Sequence, residues 1–175
     1  MGRNLFTGVL RTVKTLLIMR HAKSDWSTAG ADFDRPLNKR GRQAVPQVAH
    51  LLSGLEEKPR LILSSPAARA RETAEGLAAA LDCDLIFDPR LYLAPPQTLG
   101  AVLGEQDDRC DPLLVMGHNP GLEEWLALLG GGVCHLPTAG LAALALEAER
   151  WSEVRAGQGR LQWFFIPRLA ETLGR

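Results

Sequence analysis

Along this chain, short unbroken apolar runs alternate with longer stretches in which apolar residues recur every three or four positions. Residues 15–19, 61–63, 85–87 and 113–116 are such runs, too short for helices and bounded by polar residues, which predicts buried strands. Between them, Ala44, Val45, Val48, Leu51 and Leu52 fall at helical spacing, with Asn38 as the expected N-cap and Gly54 as the stop. Pro46 falls inside that pattern and predicts a kink or a later helix start. The alanine-rich stretch 67–81 predicts a second long helix, with Ser65 as cap and Pro66 near the first turn. Shorter helical patterns cover 98–103 and 122–129. After Gly130-Gly131-Gly132 the alternation stops. Residues 141–146 and 161–166 are two strands with a polar connection and no helix between them, which predicts antiparallel pairing at the end of the sheet.

Continuously apolar strands separated by helices imply a largely parallel sheet covered on both faces. At 175 residues the chain fits one domain with one substantial core. The expected architecture is α/β, a three-layer α/β/α sandwich spanning residues 15–175, preceded by an extension at 1–14. That extension has no uncharged run long enough for a signal-peptide core, and Phe6 stands where N-myristoylation needs Ser or Thr. No apolar run approaches the ~20 residues that span a bilayer. A cytoplasmic protein without a membrane association is the expectation.

Charge narrows the partners. Lys plus Arg and Asp plus Glu are each 20, so no global field draws the chain to nucleic acid or anionic lipid, and an anion would need a local cluster. Cys83, Cys110 and Cys134 are odd in number and lack CxxC spacing, which fits reduced thiols. His21, His50, His118 and His135 show no metal-ligand spacing. No metal and no cofactor are expected.

Three of the predicted strands end in similar material. The first runs into Arg20-His21, the second into Ser64-Ser65-Pro66 and then Arg69, the fourth into Gly117-His118-Asn119. Ligands of open α/β sheets sit at the carboxyl ends of strands. If these strands are neighbours, two guanidinium groups and two imidazoles converge there, an inventory suited to a phosphoryl group.

The segment MRHAKSDW resembles the Arg-His-Gly signature of the histidine phosphatase superfamily. SSPAARARET is similar to that family's second arginine segment and VMGHNP to its second histidine. DRPLNKRGRQA, GHNPGLEEW and LPTAGLAAL extend the likeness to the bacterial phosphohistidine phosphatase (SixA-type) branch, from about Thr15 to Ile166 in family order. The resemblance implies a phosphoglycerate mutase-like fold. It makes His21 the nucleophile that becomes a transient phosphohistidine, and makes Arg20, Arg69 and His118 the holders of the phosphoryl oxygens. Ser24 is implied as a weak hydroxyl contact to phosphate, and Ser27 stands where many members have asparagine.

Two positions depart from the family pattern. Ala22 replaces the motif glycine, narrowing the backbone's freedom. The stretch DPRLYLAPPQTLG lacks the glutamate with which ester-cleaving relatives protonate an alkoxide, and Asp88 is its only carboxylate. A positioned acid contributes typically ~10²–10⁴-fold, whereas the imidazole released from a phosphoramidate can leave as a neutral ring. The expected activity is therefore dephosphorylation of phosphohistidine on a protein, with inorganic phosphate as product. The alternatives are a small-molecule phosphomonoesterase of the same superfamily acting on a phosphorylated metabolite, and a low-turnover phosphoprotein-binding module. Asp25, the carboxylate nearest His21 in sequence, is the candidate acid or water activator, against a plain solvated-loop reading. His50 reads as surface, His135 as a loop residue, Glu123 and Glu124 as complements to a helix dipole, and Trp26 as packing on the core edge. A monomer is the default expectation.

Overall fold

Strict alternation along the first strand decides the layers. Leu16 and Ile18 face one way and Leu17 and Met19 the other, and all four are excluded from solvent. A strand buried on both faces needs cover on both. The computed structural model describes residues 13–27 and 30–173. In chain order the elements are β1 (Lys14–Arg20), α1 (Lys39–Ser53), β2 (Leu61–Ser64), α2 (Ala68–Leu81), β3 (Asp84–Phe87), α3 (Pro96–Gly104), β4 (Leu113–Gly117), α4 (Gly121–Leu129), β5 (Leu141–Leu146), β6 (Gly159–Phe165) and α5 (Pro167–Leu173).

The six strands form one sheet in the order β3-β2-β4-β1-β5-β6. The pairs β3–β2, β2–β4 and β4–β1 are parallel, and β1–β5 and β5–β6 antiparallel. On one face Leu16, Ile18, Leu63 and Val115 pack with Leu99, Val102, Trp125 and Leu126 of α3 and α4. On the other, Leu17, Met19, Ile62 and Met116 pack with Val45, Val48, Leu52, Ala74 and Leu77 of α1 and α2. The three-layer α/β/α sandwich with a mainly parallel sheet and an antiparallel C-terminal pair is the fold observed. Burial of each such Leu, Ile or Val side chain stabilises the sandwich by roughly 1.5–3 kcal/mol.

Register brings the functional strands level. Arg20 pairs with Gly117 and Ser64 with Met116, so β1, β4 and β2 end side by side at one edge of the sheet.

Local signals hold with some corrections. Asn38 caps α1, its side chain accepting from Gly41 N at 2.8 Å, and Gly54 follows the last turn. Pro46 does not split α1 into two helices; it sits exposed, inside one uninterrupted helix. Ser65 is not the cap of α2, which begins after Ala67 without a side-chain cap. The sequence pattern did not announce α5. Of the expected extension 1–14, residues 1–12 lie outside the described residues, and Lys14 already belongs to β1, its ammonium donating to the Asp108 carbonyl. Among the described residues no helix is long and apolar enough to cross a membrane.

Candidate active site

The chain past β1 is pinned from three sides before any side chain is considered. Arg20 N donates to Gly140 O (3.1 Å) and His21 N to Gly117 O (3.2 Å), carrying the sheet's bonding one residue beyond the strand. Ala22 N donates to Thr73 Oγ1 (3.1 Å), and that hydroxyl donates to the Arg69 carbonyl (2.7 Å), which ties the loop to α2. Ala139, held at φ +60, donates its N–H to the carbonyls of both Arg20 and His21. A left-handed alanine costs of order 1 kcal/mol and persists where the surroundings fix it. Ala22 itself is not among the positive-φ residues and is fully buried, so the methyl in place of the motif glycine is accommodated.

On this frame the side chains converge. His21 Nδ1 lies 2.7 Å from its neighbour's carbonyl, Ala22 O, and Arg69 Nε lies 3.1 Å from His21 Nε2. A guanidinium only donates, so Nε2 presents a lone pair and Nδ1 carries the proton. The same logic applies to His118, whose Nδ1 is 3.2 Å from Arg69 Nη2 while its Nε2 is 2.9 Å from Ser65 Oγ. Arg69 thus bridges two imidazoles whose centroids are 5.0 Å apart. His21, His118 and Arg69 are only 5 %, 4 % and 2 % exposed. Burial pushes His21 down to about 3, against the opposing bond to Ala22 O and assisted by the nearby His118 and the charges of Arg69 and Arg20. Burial and the Arg69 charge push His118 down to about 3 as well. Both rings are therefore neutral near physiological pH.

A carboxylate without a sequence signal completes the arrangement. Asp32, in a 3₁₀ turn (Asp32–Asp34), accepts from Arg69 Nη2 (2.9 Å) and Tyr92 Oη (2.8 Å) through one oxygen, and its other oxygen lies 3.0 Å from Arg35. Its carbonyl also accepts from Arg69 Nη1 at 2.6 Å. Burial alone would raise its pKa, but the Tyr92 bond and the Arg69 and Arg35 charges outweigh that and hold the carboxyl below its ordinary value. Arg35 in turn stacks under Trp26, 3.5 Å from the ring centroid.

His21, Trp26, Asp32, Arg35, Arg69 and His118 line a cavity of about 310 Å³ that Arg20, Ser24 and Leu93 also wall. Arg20 donates from Nη1 to Leu136 O (3.1 Å), while its buried Nε and that of Arg35 have no hydrogen-bond partner among the described residues. Leu93 sits at φ +50 and is 55 % exposed, an apolar side chain held in a left-handed conformation at the cavity wall. Gly121 makes that wall possible, since a Cβ there would lie 1.9 Å from Ala94 O.

Of the residues expected from sequence, Arg20, His21, Arg69, His118 and Ser24 meet at this cavity. Asp25 does not line it: its carboxylate accepts from the Ser27 hydroxyl (2.7 Å) and backbone (2.9 Å), and those bonds lower its pKa. Asp88 likewise is absent from the lining and is engaged by Arg90 at 2.7 Å. Trp26 is 73 % exposed at the cavity rather than packed on the core edge. His50 is at the surface, as expected. Glu123 does more than complement a dipole: its Oε1 accepts from Asn119 Nδ2 and Leu136 N, both at 2.7 Å, and lies 2.8 Å from His135 Nδ1, tying that loop to α4. Asp32, Arg35, Tyr92 and Leu93 were not singled out from sequence, because the contacts that give them meaning link distant segments. Among the described residues no three His, Cys, Asp or Glu side chains are grouped to hold a metal ion.

Comparison with known proteins bears on the family and the fold. The family model described as histidine phosphatase superfamily (branch 1) matches residues 16–92. An uncharacterised chloroplastic protein of Arabidopsis thaliana is 32% identical over 167 residues, covering 86% of this chain and 74% of the relative. Among solved structures, a candidate phosphohistidine phosphatase SixA from Agrobacterium tumefaciens superposes with a TM-score of 0.74 at 30% identity, covering 88% of this chain and 98% of that one. A second SixA candidate, from Nakamurella multipartitia, superposes with a TM-score of 0.81 at 23% identity, over 89% and 97% of the two chains.

Proposed function

The chain belongs to the histidine phosphatase superfamily, branch 1, and we propose on that premise that it is a phosphatase that passes a phosphoryl group through His21 and acts on phosphohistidine carried by a protein. The single observation that supports the reading most is the state of His21: buried, neutral, its proton at Nδ1 toward Ala22 O and its Nε2 lone pair toward Arg69.

The lone pair of Nε2 attacks phosphorus in line, giving up its bond from Arg69. The bond from phosphorus to the substrate imidazole breaks with its electron pair going to that ring nitrogen. Because the ring's other nitrogen is protonated beforehand, the imidazole leaves neutral. Arg69, Arg20 and His118 hold the three equatorial oxygens as charge spreads over them. Water then attacks the phosphorus on His21, the P–N bond breaks, Nε2 regains its lone pair, and the water's proton ends on phosphate. Ser24 contributes a weak contact.

The cavity's carboxylate bears on the leaving group. Asp32 is held ionised by Tyr92, Arg69 and Arg35, so it is poorly suited to protonate an alkoxide. Asp25 and Asp88 are engaged elsewhere. A phosphoramidate needs no such donor, which favours phosphohistidine over alcohol phosphates.

Rapid quench with a ³²P-phosphohistidine carrier protein tests both parts. The expected result is an acid-labile, base-stable label on His21 and release of phosphate, absent in His21→Ala. Efficient hydrolysis of alkyl phosphates with no action on the carrier would replace this reading by the phosphomonoesterase one. Tight binding without label or release would replace it by the binding module.

A further inference from the structure

Beside the reaction cavity lies a second hollow of about 160 Å³ that shares Lys23 and Thr138 with it. The second hollow is lined by Lys23, Arg40 and Arg168 and by no carboxylate. None of the three cations forms an ion pair among the described residues, and the hollow they share holds no carboxylate to offset them. In a chain with equal numbers of acidic and basic residues, three unpaired cations in one hollow are a local concentration rather than overflow from a basic surface. Arg40 also stands in the first turn of α1, where the helix's positive end disfavours a cation and where no acidic residue offsets it. That arrangement is unfavourable by itself and becomes favourable when an anion arrives.

The hollow is held rigidly to the reaction cavity. Asn38 N donates to Lys23 O at 2.9 Å, and the first turn of α1 presses on the same carbonyl so closely that a Cβ on Gly41 would lie 2.1 Å from it. Lys23 is two residues from His21, and Thr138 adjoins Ala139, which holds the carbonyls of Arg20 and His21. A group seated among Lys23, Arg40 and Arg168 therefore lies next to a phosphoryl group at His21, across the shared Lys23 and Thr138.

We propose that this hollow is a second anion subsite, which receives a carboxylate or phosphate carried by the substrate close to its phosphorylated position and so selects substrates with an acidic group there. The inference rests on the proposed phosphoryl chemistry only in placing the first anion at His21. The acidic group has two sources of the same chemistry: a Glu or Asp flanking the phosphorylated residue of a protein, or a second anionic group on a small phosphorylated molecule.

The test compares wild type with Arg40→Gln/Arg168→Gln, neither residue lining the reaction cavity. One arm uses phosphohistidine peptides with a single glutamate at successive flanking positions and an all-glutamine control. The other uses phenyl phosphate and its carboxyphenyl counterparts. In wild type at least one acidic substrate shows a KM about tenfold below its neutral counterpart with kcat unchanged, as expected for a difference near 1.4 kcal/mol, and the preference fades with salt. In the double variant the preference disappears while neutral substrates are unaffected. The arm that responds identifies the source. No acid preference in wild type, or one that survives the double substitution, overturns the subsite. If nothing is turned over, the phosphatase reading fails separately, and binding of the same peptides with a non-hydrolysable phosphonate in place of phosphohistidine decides the subsite. Affinity that depends on the glutamate and on Arg40 and Arg168 sustains it; equal affinities overturn it.

Discussion

Arg69 Nε donates to His21 Nε2 over 3.1 Å, so the side chain assigned to the phosphoryl oxygens also covers the lone pair assigned to attack. The guanidinium and the His21 ring are held as one unit by α2, whose Thr73 hydroxyl links the backbone of Arg69 to that of Ala22. Replacing Arg69 by Ala is expected to lower kcat/KM by at least ~10²-fold, the scale of a lost oxyanion donor. Single-turnover measurement of His21 labelling separates this loss from weaker binding.

Asp32 pairs with Arg69 and Arg35 and fixes their direction, and in the proposed reaction it competes with phosphate for Arg69. Asp32→Asn should therefore act in two opposite senses. The rate constant kcat falls, by about tenfold to a hundredfold, because a slightly displaced guanidinium costs transition-state contacts. Inhibition by inorganic phosphate becomes tighter, because a negative charge has left the anion site. Steady-state kinetics with phosphate as inhibitor reads both. Tyr92→Phe removes only one hydrogen bond to the same carboxylate and should have a smaller effect, about 0.5–1.5 kcal/mol.

Acid should act on stability before it acts on the nucleophile. His21 and His118 titrate at about 3 in the folded chain against 6.5 for an unperturbed ring. Below pH 6.5 the unfolded chain takes up protons that the folded rings refuse, so stability falls as pH drops from 6.5 toward 3 and is fully present above that range. Urea midpoints measured from pH 8 to pH 4 should decline only in the lower half. The part of kcat/KM that reports the His21 base should stay level across the same range.

Gly41 tolerates no side chain without movement of Lys23. Gly41→Ala places a methyl against a backbone oxygen 2.1 Å away, and the loop or helix must shift. A loss of about 1–3 kcal/mol in denaturant unfolding is expected, on the scale of overpacking. Activity falls with it, since Lys23 and His21 share that loop.

Leu93 should show the reverse balance. At φ +50 a leucine costs roughly 1–2 kcal/mol that glycine avoids, an advantage partly offset by glycine's greater freedom in the unfolded chain. Leu93→Gly is expected to leave stability equal or slightly higher, by up to about 1 kcal/mol, while raising KM for phosphohistidine peptides through loss of the wall. Calorimetry and KM together check it.

Much of this molecule is legible in its residue pattern because its central strands are buried on both faces and its first helix is capped in a recognisable way. The apolar runs around Ile18, Ile62 and Val115 have no stable alternative to the sheet centre, and Asn38 and Gly54 mark α1 by local chemistry alone. His21 and His118 are readable because they directly follow such strands, and Arg69 because it opens the helix after one. Ser65 misleads, since its position before a helix suits a cap, yet its hydroxyl meets His118 Nε2 and the Ala67 N–H rather than the first turn of α2. Asp32 has no periodic neighbour and no motif; it gains its place only when α2 and the Tyr92 loop fold against it. Trp26 is similar: an aromatic in a polar loop is normally packed away, and its partner Arg35 lies nine positions further on with no motif to connect them.

Trp125 and Trp151 are sealed in the core, whereas Trp26 lies open over a guanidinium at the cavity. Its emission is therefore expected to be red-shifted relative to theirs and accessible to iodide. An oxyanion that draws Arg35 from beneath the indole alters that emission, which lets occupancy be followed by intrinsic fluorescence without a label.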